Sequence, residues 1–200
     1  MVKQGLYRTM ASGRPVTPTG EPLPWFTYPA IHYLEQLDLS STSVFEYGSG
    51  NSTLWWQTRV AAVRSVEHDA EWYQLVRGAV HEFVDHRLVT DAESYVNAIA
   101  PGQYDIIVID GEFRRECVRK AVDHLKSGGF IVLDNSDWFP SCAASLRQRG
   151  LIEVDFAGFG PINDYTSVTS IFLHPDFRPQ PVGSMPQLPR GGVPENVERF

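Results

Sequence analysis

Short apolar runs alternate along the chain with segments in which apolar residues recur every three or four positions. A short apolar run is typical of a buried strand, whereas the three-to-four spacing is typical of one face of a helix. The predicted strands cover residues 43–47, 64–67, 87–90, 104–109, 130–133, about 151–156 and 168–173. Two predicted helices begin at Pro29 and at the cap residue Asp69. Three further predicted helices cover 52–61, 112–126 and about 138–148.

This alternation predicts an open, mostly parallel sheet with helices on both faces. Residues 104–109 are apolar apart from Asp105, as expected for a central strand that is buried on both faces. In such sheets, ligands bind beyond the carboxyl ends of the strands, where the strand order reverses. Functional residues are therefore expected just after the first, second, fourth and fifth strands.

The prolines divide the chain into three parts. Of 14 prolines, five lie in residues 15–29, six lie in residues 175–194, and only three lie between these stretches. We therefore predict a Pro/Gly-rich, irregular N-terminal arm at 1–27, a proline-poor globular domain at 28–174 and a Pro-rich, extended C-terminal tail at 175–200. A chain of 200 residues is long enough for one sizeable core.

Charge and composition exclude several classes of protein. The formal net charge is −7 and the basic residues are scattered, which argues against a nucleic-acid partner. The apolar runs are too short to span a membrane, and the first residues lack the apolar core of a secretory signal. Cys117 and Cys142 have no metal-ligand spacing and are expected to be reduced thiols of a cytoplasmic protein. A homodimer is compatible with the sequence.

The first predicted strand runs into the segment Glu46-Tyr-Gly48-Ser-Gly50-Asn-Ser-Thr53. Two glycines between a strand and a helix are typical of a nucleotide-binding loop, and Glu67 follows Glu46 at about the spacing of a ribose-binding acid. Thr53 stands where a dinucleotide fingerprint has its third small residue. Glu46 would repel a pyrophosphate but would favour a ligand that carries a cation. S-adenosylmethionine, with a sulfonium and no phosphate, meets that requirement.

At these positions the sequence resembles the class I S-adenosylmethionine-dependent methyltransferases. The resemblance spans about residues 30–173 and rests on four motifs: Val44 to Gly50, Val66-Glu67, Tyr104 to Asp110, and Leu125 to Asp134. It implies a Rossmann-like, doubly wound α/β fold with a mostly parallel seven-stranded sheet, helices on both faces and an antiparallel strand near the C-terminal end. The implied cofactor-binding residues are Glu46, Gly48 and Gly50 at the methionine end, Asn51 and Thr53 at its carboxylate, Glu67 at the ribose, Asp91 near the adenine, and Asp110.

Two acidic residues end neighbouring predicted strands, Asp110 the fourth and Asp134 the fifth. Adjacent parallel strands lie about 5 Å apart, so both carboxylates can converge, and Asn135 adds a neutral oxygen. Three oxygen ligands suit Mg²⁺, which would lower the pKa of a bound hydroxyl. The set resembles the metal site of catechol-type O-methyltransferases, although that group has a lysine base where Gly111-Glu-Phe-Arg114 follows here. Asp110 is the predicted general base, with His68 as a second catalytic candidate.

These features favour an S-adenosylmethionine-dependent methyltransferase that O-methylates a small hydroxylated molecule or a sugar. One alternative is an NAD-dependent oxidoreductase on a Rossmann fold, and another is a non-catalytic S-adenosylmethionine-binding module. Aromatic and polar segments are predicted to position the acceptor, and the one at 25–28 is placed to act as a lid. The other positioning segments are Arg114, 137–138 and 158–165.

Overall fold

The computed structural model describes residues 5–100, 102–183 and 186–188. One seven-stranded sheet has the order β3-β2-β1-β4-β5-β7-β6. Its first five strands are parallel, and β7 is antiparallel to both of its neighbours. The predicted fold class, including the antiparallel strand near the C-terminal end, is confirmed. The strands are β1 (Ser43–Tyr47), β2 (Ala62–Glu67), β3 (Asp85–Leu88), β4 (Tyr104–Ile109), β5 (Leu125–Leu133), β6 (Ile152–Phe159) and β7 (Thr166–Leu173).

Helices and alternating strand residues build a core on each face of the sheet. In β1, Val44 joins one buried cluster while Phe45 joins the other, and in β4 Ile106 and Ile107 divide in the same way. Both faces of these strands are therefore buried, which explains their continuous apolar runs. The helices are α1 (Leu6–Ser12), α2 (Tyr28–Leu34), α3 (Asn51–Trp56), α4 (Ala70–Arg77), α5 (Ala92–Asn97), α6 (Arg114–Ala121) and α7 (Pro140–Gln148).

The predicted helix at 112–126 is too long. Helix α6 ends at Ala121, a 3₁₀ turn spans Val122–His124, and β5 already begins at Leu125. A Cβ atom on Gly129 would lie 2.4 Å from the carbonyl oxygen of Asp105, so glycine allows β5 to pass close to β4. The Gly128-Gly129 pair therefore belongs inside a strand rather than at the end of a helix.

The N-terminal arm is more ordered than its proline content predicts. Helix α1 lies between Gly5 and Gly13, which both have left-handed backbone angles. Its seven residues are too few to show a helical period. Further along, the backbone N–H of Thr27 donates to Thr169 Oγ1 at 2.9 Å, which fixes the arm to β7.

The described part of the C-terminal tail packs beside the end of α2. The backbone N–H of Asp38 donates to the Gln180 carbonyl at 2.6 Å, and that of Val182 donates to the Gln36 carbonyl at 2.9 Å. The remainder of the predicted tail, residues 184–185 and 189–200, lies outside the described residues. Within the described ranges, no helix has the length and apolarity needed to cross a membrane.

Candidate functional site

A cleft of about 800 Å³ lies at the carboxyl ends of β1, β2, β4 and β5. This is the position expected for an open α/β sheet, where the strand order reverses between β1 and β4. The predicted residues that line the cleft are Gly48, Gly50, Asn51, Glu67, His68, Asp110, Asp134 and Asn135.

The two loop glycines are present for different reasons. Gly48 has φ +92°, and a Cβ atom there would lie 2.6 Å from the backbone of Gly111, after β4. Gly50 is extended, and a Cβ atom there would meet nothing closer than 3.9 Å. Gly48 therefore allows two loops to touch, whereas Gly50 keeps a surface of the cleft free of a side chain.

Glu46 and Thr53 lie beneath the loop and do not line the cleft. The Glu46 carboxylate accepts hydrogen bonds from the hydroxyls of Thr53 and Ser65, the latter at 2.7 Å. Thr53 Oγ1 in turn accepts the backbone N–H of Gly50 at 3.0 Å. Burial raises the pKa of Glu46 to about 7. These two residues shape the loop from below and supply negative potential when Glu46 is ionised.

Glu67 ends β2 directly below the loop. One carboxylate oxygen accepts the backbone N–H of Ser49 at 2.9 Å, and the other accepts those of His68 and Asp69 at 2.9 and 3.0 Å. The His68 ring lies edge-on to Tyr95, with Nδ1 3.1 Å from Glu67 Oε1. Glu67 and His68 therefore lie side by side on the cleft wall.

Asp110 and Asp134 come together at the next two strand ends, as predicted. Burial raises the pKa of Asp110 to about 6, even though the guanidinium of Arg114, 3.0 Å from Asp110 Oδ1, opposes this shift. Burial, and then the negative charge of Asp110, raise the pKa of Asp134 well above its usual range. Thr169 Oγ1 donates to Asp134 Oδ1 at 2.5 Å. The pair can therefore hold one proton near neutral pH.

The residues present do not fit the predicted magnesium site. Arg114 donates to Asp110 Oδ1 and, at 3.3 Å, to Asn135 Oδ1, so a cationic side chain already uses oxygens that the metal would need. Within residues 5–100, 102–183 and 186–188, no cluster of three or more His, Cys, Asp or Glu side chains offers another metal site. The sequence predicted that Asp110, Asp134 and Asn135 lie at neighbouring strand ends, but it did not predict that Arg114 would donate to Asp110 Oδ1 and Asn135 Oδ1.

Two other predicted cofactor residues have structural contacts. Asp91 lies outside the cleft, where its carboxylate accepts the backbone N–H of Ser94 at 2.8 Å and caps α5. Helix α5 was not predicted, and Asp91 is its N-cap residue. Asn51 does line the cleft, and its side-chain amide donates to the Pro15 carbonyl at 2.7 Å.

Several cleft residues were not predicted. Trp72, Leu75 and Val76 of α4 line the cleft. Trp72 is 41% exposed, and its indole N–H donates to the Ser49 carbonyl at 2.6 Å. Their place in the sequence could have indicated this role, because α4 begins just after the predicted site residue Glu67. The arm also contributes unpredicted cleft residues, namely Ser12, Gly13, Arg14 and Pro15.

Trp25, Trp138 and Tyr165 form an aromatic rim that lines part of the cleft. Trp25 Nε1 donates to Asn163 Oδ1 at 2.7 Å, which joins the arm to the loop between β6 and β7. The rings of Trp138 and Tyr165 are stacked with centroids 6.0 Å apart. Three of the predicted positioning segments therefore meet at this rim.

No protein-family model matches the chain, and no curated protein matches it. Solved structures do share its fold. An O-methyltransferase candidate from Klebsiella pneumoniae has a TM-score of 0.58 and 17% identity, over 84% of this chain and 87% of its own. Precorrin-8w decarboxylase from Methanobacterium thermoautotrophicum has a TM-score of 0.55 and 21% identity, over 81% and 97%. A methyltransferase from Pyrococcus furiosus has a TM-score of 0.53 and 16% identity, over 86% and 94%. At these identities the likeness shows the fold alone.

Proposed function

We propose that the protein is an S-adenosylmethionine-dependent methyltransferase that O-methylates a small hydroxylated molecule or a sugar. The observation that carries the proposal is the free surface over Gly50, which is flanked by Trp72 and lies in the same cleft as the Glu67 carboxylate. This surface could admit a nucleoside, and Glu67 could accept hydrogen bonds from ribose hydroxyls.

The charge of the cleft favours S-adenosylmethionine over a dinucleotide. Five acids and two arginines line the cleft, and the Arg114 guanidinium is already bound to protein oxygens. An acidic wall attracts the sulfonium and ammonium groups but repels a pyrophosphate. The NAD-dependent alternative therefore lacks a favourable site for its phosphates.

The acid pair can take the proton that the acceptor loses. S-adenosylmethionine would supply the methyl group, whose bond to sulfur breaks as the acceptor oxygen bonds to the carbon. Asp110, with a pKa of about 6, is ionised above that pH and can accept the hydroxyl proton. His68 is the second candidate base on the same wall. The rest of the rate acceleration comes mainly from positioning the acceptor oxygen in line with the methyl group, since this displacement needs little covalent catalysis.

The rim indicates an acceptor with a flat or ring-shaped apolar face. Trp25, Trp138 and Tyr165 are all exposed and all line the cleft. Aromatic faces of this kind pack against aromatic rings and against the apolar faces of sugars. The ring would lie at the rim with its hydroxyl toward Asp110.

Calorimetric titration tests the ligand class. We expect S-adenosylhomocysteine to bind and NAD⁺ not to bind. The Glu67→Gln variant should lose at least about tenfold in affinity, since one charge-assisted contact is worth more than 1.4 kcal/mol. Glu71→Gln is the matched control, because Glu71 is an exposed acid on α4 outside the cleft, and its affinity should not change.

Three results would contradict parts of the proposal. Binding of NAD⁺ without S-adenosylhomocysteine would favour the oxidoreductase. An unchanged affinity in Glu67→Gln would remove Glu67 from the site. Binding of S-adenosylhomocysteine without transfer of a labelled methyl group to any phenol, catechol or sugar of a broad panel would favour the non-catalytic module.

A further inference from the structure

The Arg114 guanidinium lies against the side chains of two predicted metal ligands, Asp110 and Asn135, and against the backbone of the third, Asp134. Its terminal nitrogens donate to Asp110 Oδ1 at 3.0 Å and to Asn135 Oδ1 at 3.3 Å. They also donate to the backbone carbonyls of Asp110 and Asp134, while Nε donates to the Gly111 carbonyl at 3.0 Å. One side chain thus connects the ends of β4 and β5.

Every N–H of this guanidinium has an acceptor. A guanidinium has five N–H donors, and the five contacts use all of them. The Arg114 guanidinium carbon lies 4.8 Å from the centre of the Phe139 ring, and the side chain is only 12% exposed. Arg114 therefore has no donor left for an acceptor molecule and is held in one place.

Two residues next to this contact have left-handed backbone angles. Among the described residues, Phe113 and Asn135 are the non-glycine residues with positive φ, at 53° and 51°. Phe113 directly precedes Arg114, and Asn135 is one of its acceptors. Such angles cost free energy for a residue like phenylalanine, so the surrounding contacts must compensate for them.

We propose that Arg114 is an internal replacement for a divalent cation, and that the site works without a metal. Like charges repel, so a divalent ion at Asp110 Oδ1 and Asn135 Oδ1 would have to displace the guanidinium. Arg114 is a positioning residue that offsets the charge of Asp110. A carboxylate of the acid pair, and not Arg114, takes the proton that the acceptor hydroxyl loses. The link to methyl transfer rests on the proposed function, whereas the exclusion of a metal does not.

Electron paramagnetic resonance of added Mn²⁺ tests the replacement directly. Wild-type protein should leave the free Mn²⁺ signal unchanged, whereas Arg114→Ala should bind about one Mn²⁺ ion through the released oxygens. Arg115→Ala, an exposed arginine on the same helix, should behave as wild type. Arg114→Lys keeps a cation at the site and should not bind Mn²⁺.

Two results would overturn the proposal: Mn²⁺ binding by the wild type that Asp134→Asn abolishes, or a folded Arg114→Ala variant that binds no Mn²⁺. If Arg114→Ala does not fold, Arg114→Gln replaces it with the same criteria. The Mn²⁺ measurement on the wild type does not depend on whether either variant folds. S-adenosylhomocysteine affinity with excess chelator is measured separately. Absence of that binding contradicts the proposed function, while the Mn²⁺ results alone decide the role of Arg114.

Discussion

In the half of the cleft around the glycine loop, Glu67 accepts hydrogen bonds from backbone N–H groups, and Glu46 accepts them from two hydroxyls. In the half around the strand-end acids, Asp110 is paired with the Arg114 guanidinium. Neutral donors do not cancel the charge of an ionised carboxylate such as Glu67, whereas a guanidinium offsets that of Asp110. The loop half is therefore suited to attract a cationic ligand, and the acid-pair half is suited to exchange a proton.

The largest effect is expected at Gly48, where the loop half depends on backbone contact. The Gly48→Ala variant combines a left-handed backbone with a Cβ atom 2.6 Å from Gly111. We expect it to lower the free energy of unfolding by about 4 kcal/mol. Urea denaturation measures the change.

Gly50→Ala is the matched control for Gly48→Ala. Its Cβ atom has room, so stability should stay within about 0.5 kcal/mol of wild type. The same methyl group should nevertheless weaken S-adenosylhomocysteine binding at least about tenfold, because it fills the free surface. Equal destabilisation by both variants, or unchanged affinity in Gly50→Ala, would break the distinction between the two glycines.

The next effect is a pH dependence that originates in the loop half. Burial raises the pKa of Glu46 to about 7 from a usual value near 4.5, so the folded protein holds a proton that the unfolded chain releases. Stability from this group is therefore greatest at low pH and decreases between about pH 4.5 and 7, by about 3 kcal/mol in total.

Glu46→Gln removes that titration. Relative to wild type, the variant should be about equally stable at pH 4.5 and about 3 kcal/mol more stable at pH 8. Urea unfolding over this pH range gives the two profiles. Parallel profiles would show that Glu46 is ionised throughout and that the loop half tolerates the buried charge.

A smaller effect is expected in the acid-pair half. Thr169→Val removes the donor to Asp134 Oδ1 and the acceptor of the Thr27 backbone N–H. Unfolding should become easier by about 2 kcal/mol, because buried polar groups lose their partners. Thr166→Val makes the same replacement at an exposed position of β7 and should have little effect. Similar losses in both variants would mean that Thr169 has no special role.

The smallest effect is expected at Trp72. Trp72→Ala removes an aromatic face from the loop half and should weaken S-adenosylhomocysteine binding about tenfold, or about 1.4 kcal/mol. Phe83→Ala removes another exposed aromatic ring, one that does not line the cleft, and should leave affinity unchanged. Calorimetry that finds the same affinity for both variants would remove Trp72 from the ligand site.

Local patterns predicted the strands well because period and apolarity are properties of neighbouring residues. The 104–109 run matches β4 at both ends, and 43–47 matches β1. Helix ends were less predictable. Gly128-Gly129 were expected to end a helix, yet they lie within β5, because the close approach of β4 is a contact between distant residues.

By itself, the sequence determined the order of strands and helices, the glycine loop, and the convergence of Asp110 with Asp134. These follow because a parallel sheet brings all its carboxyl strand ends to one edge. Only the tertiary structure decided what each side chain meets there. It placed Glu46 beneath the loop, directed Asp91 to a helix cap and put Arg114 among the predicted metal ligands. Burial and partner geometry depend on residues far apart in the chain, so local pattern cannot fix them.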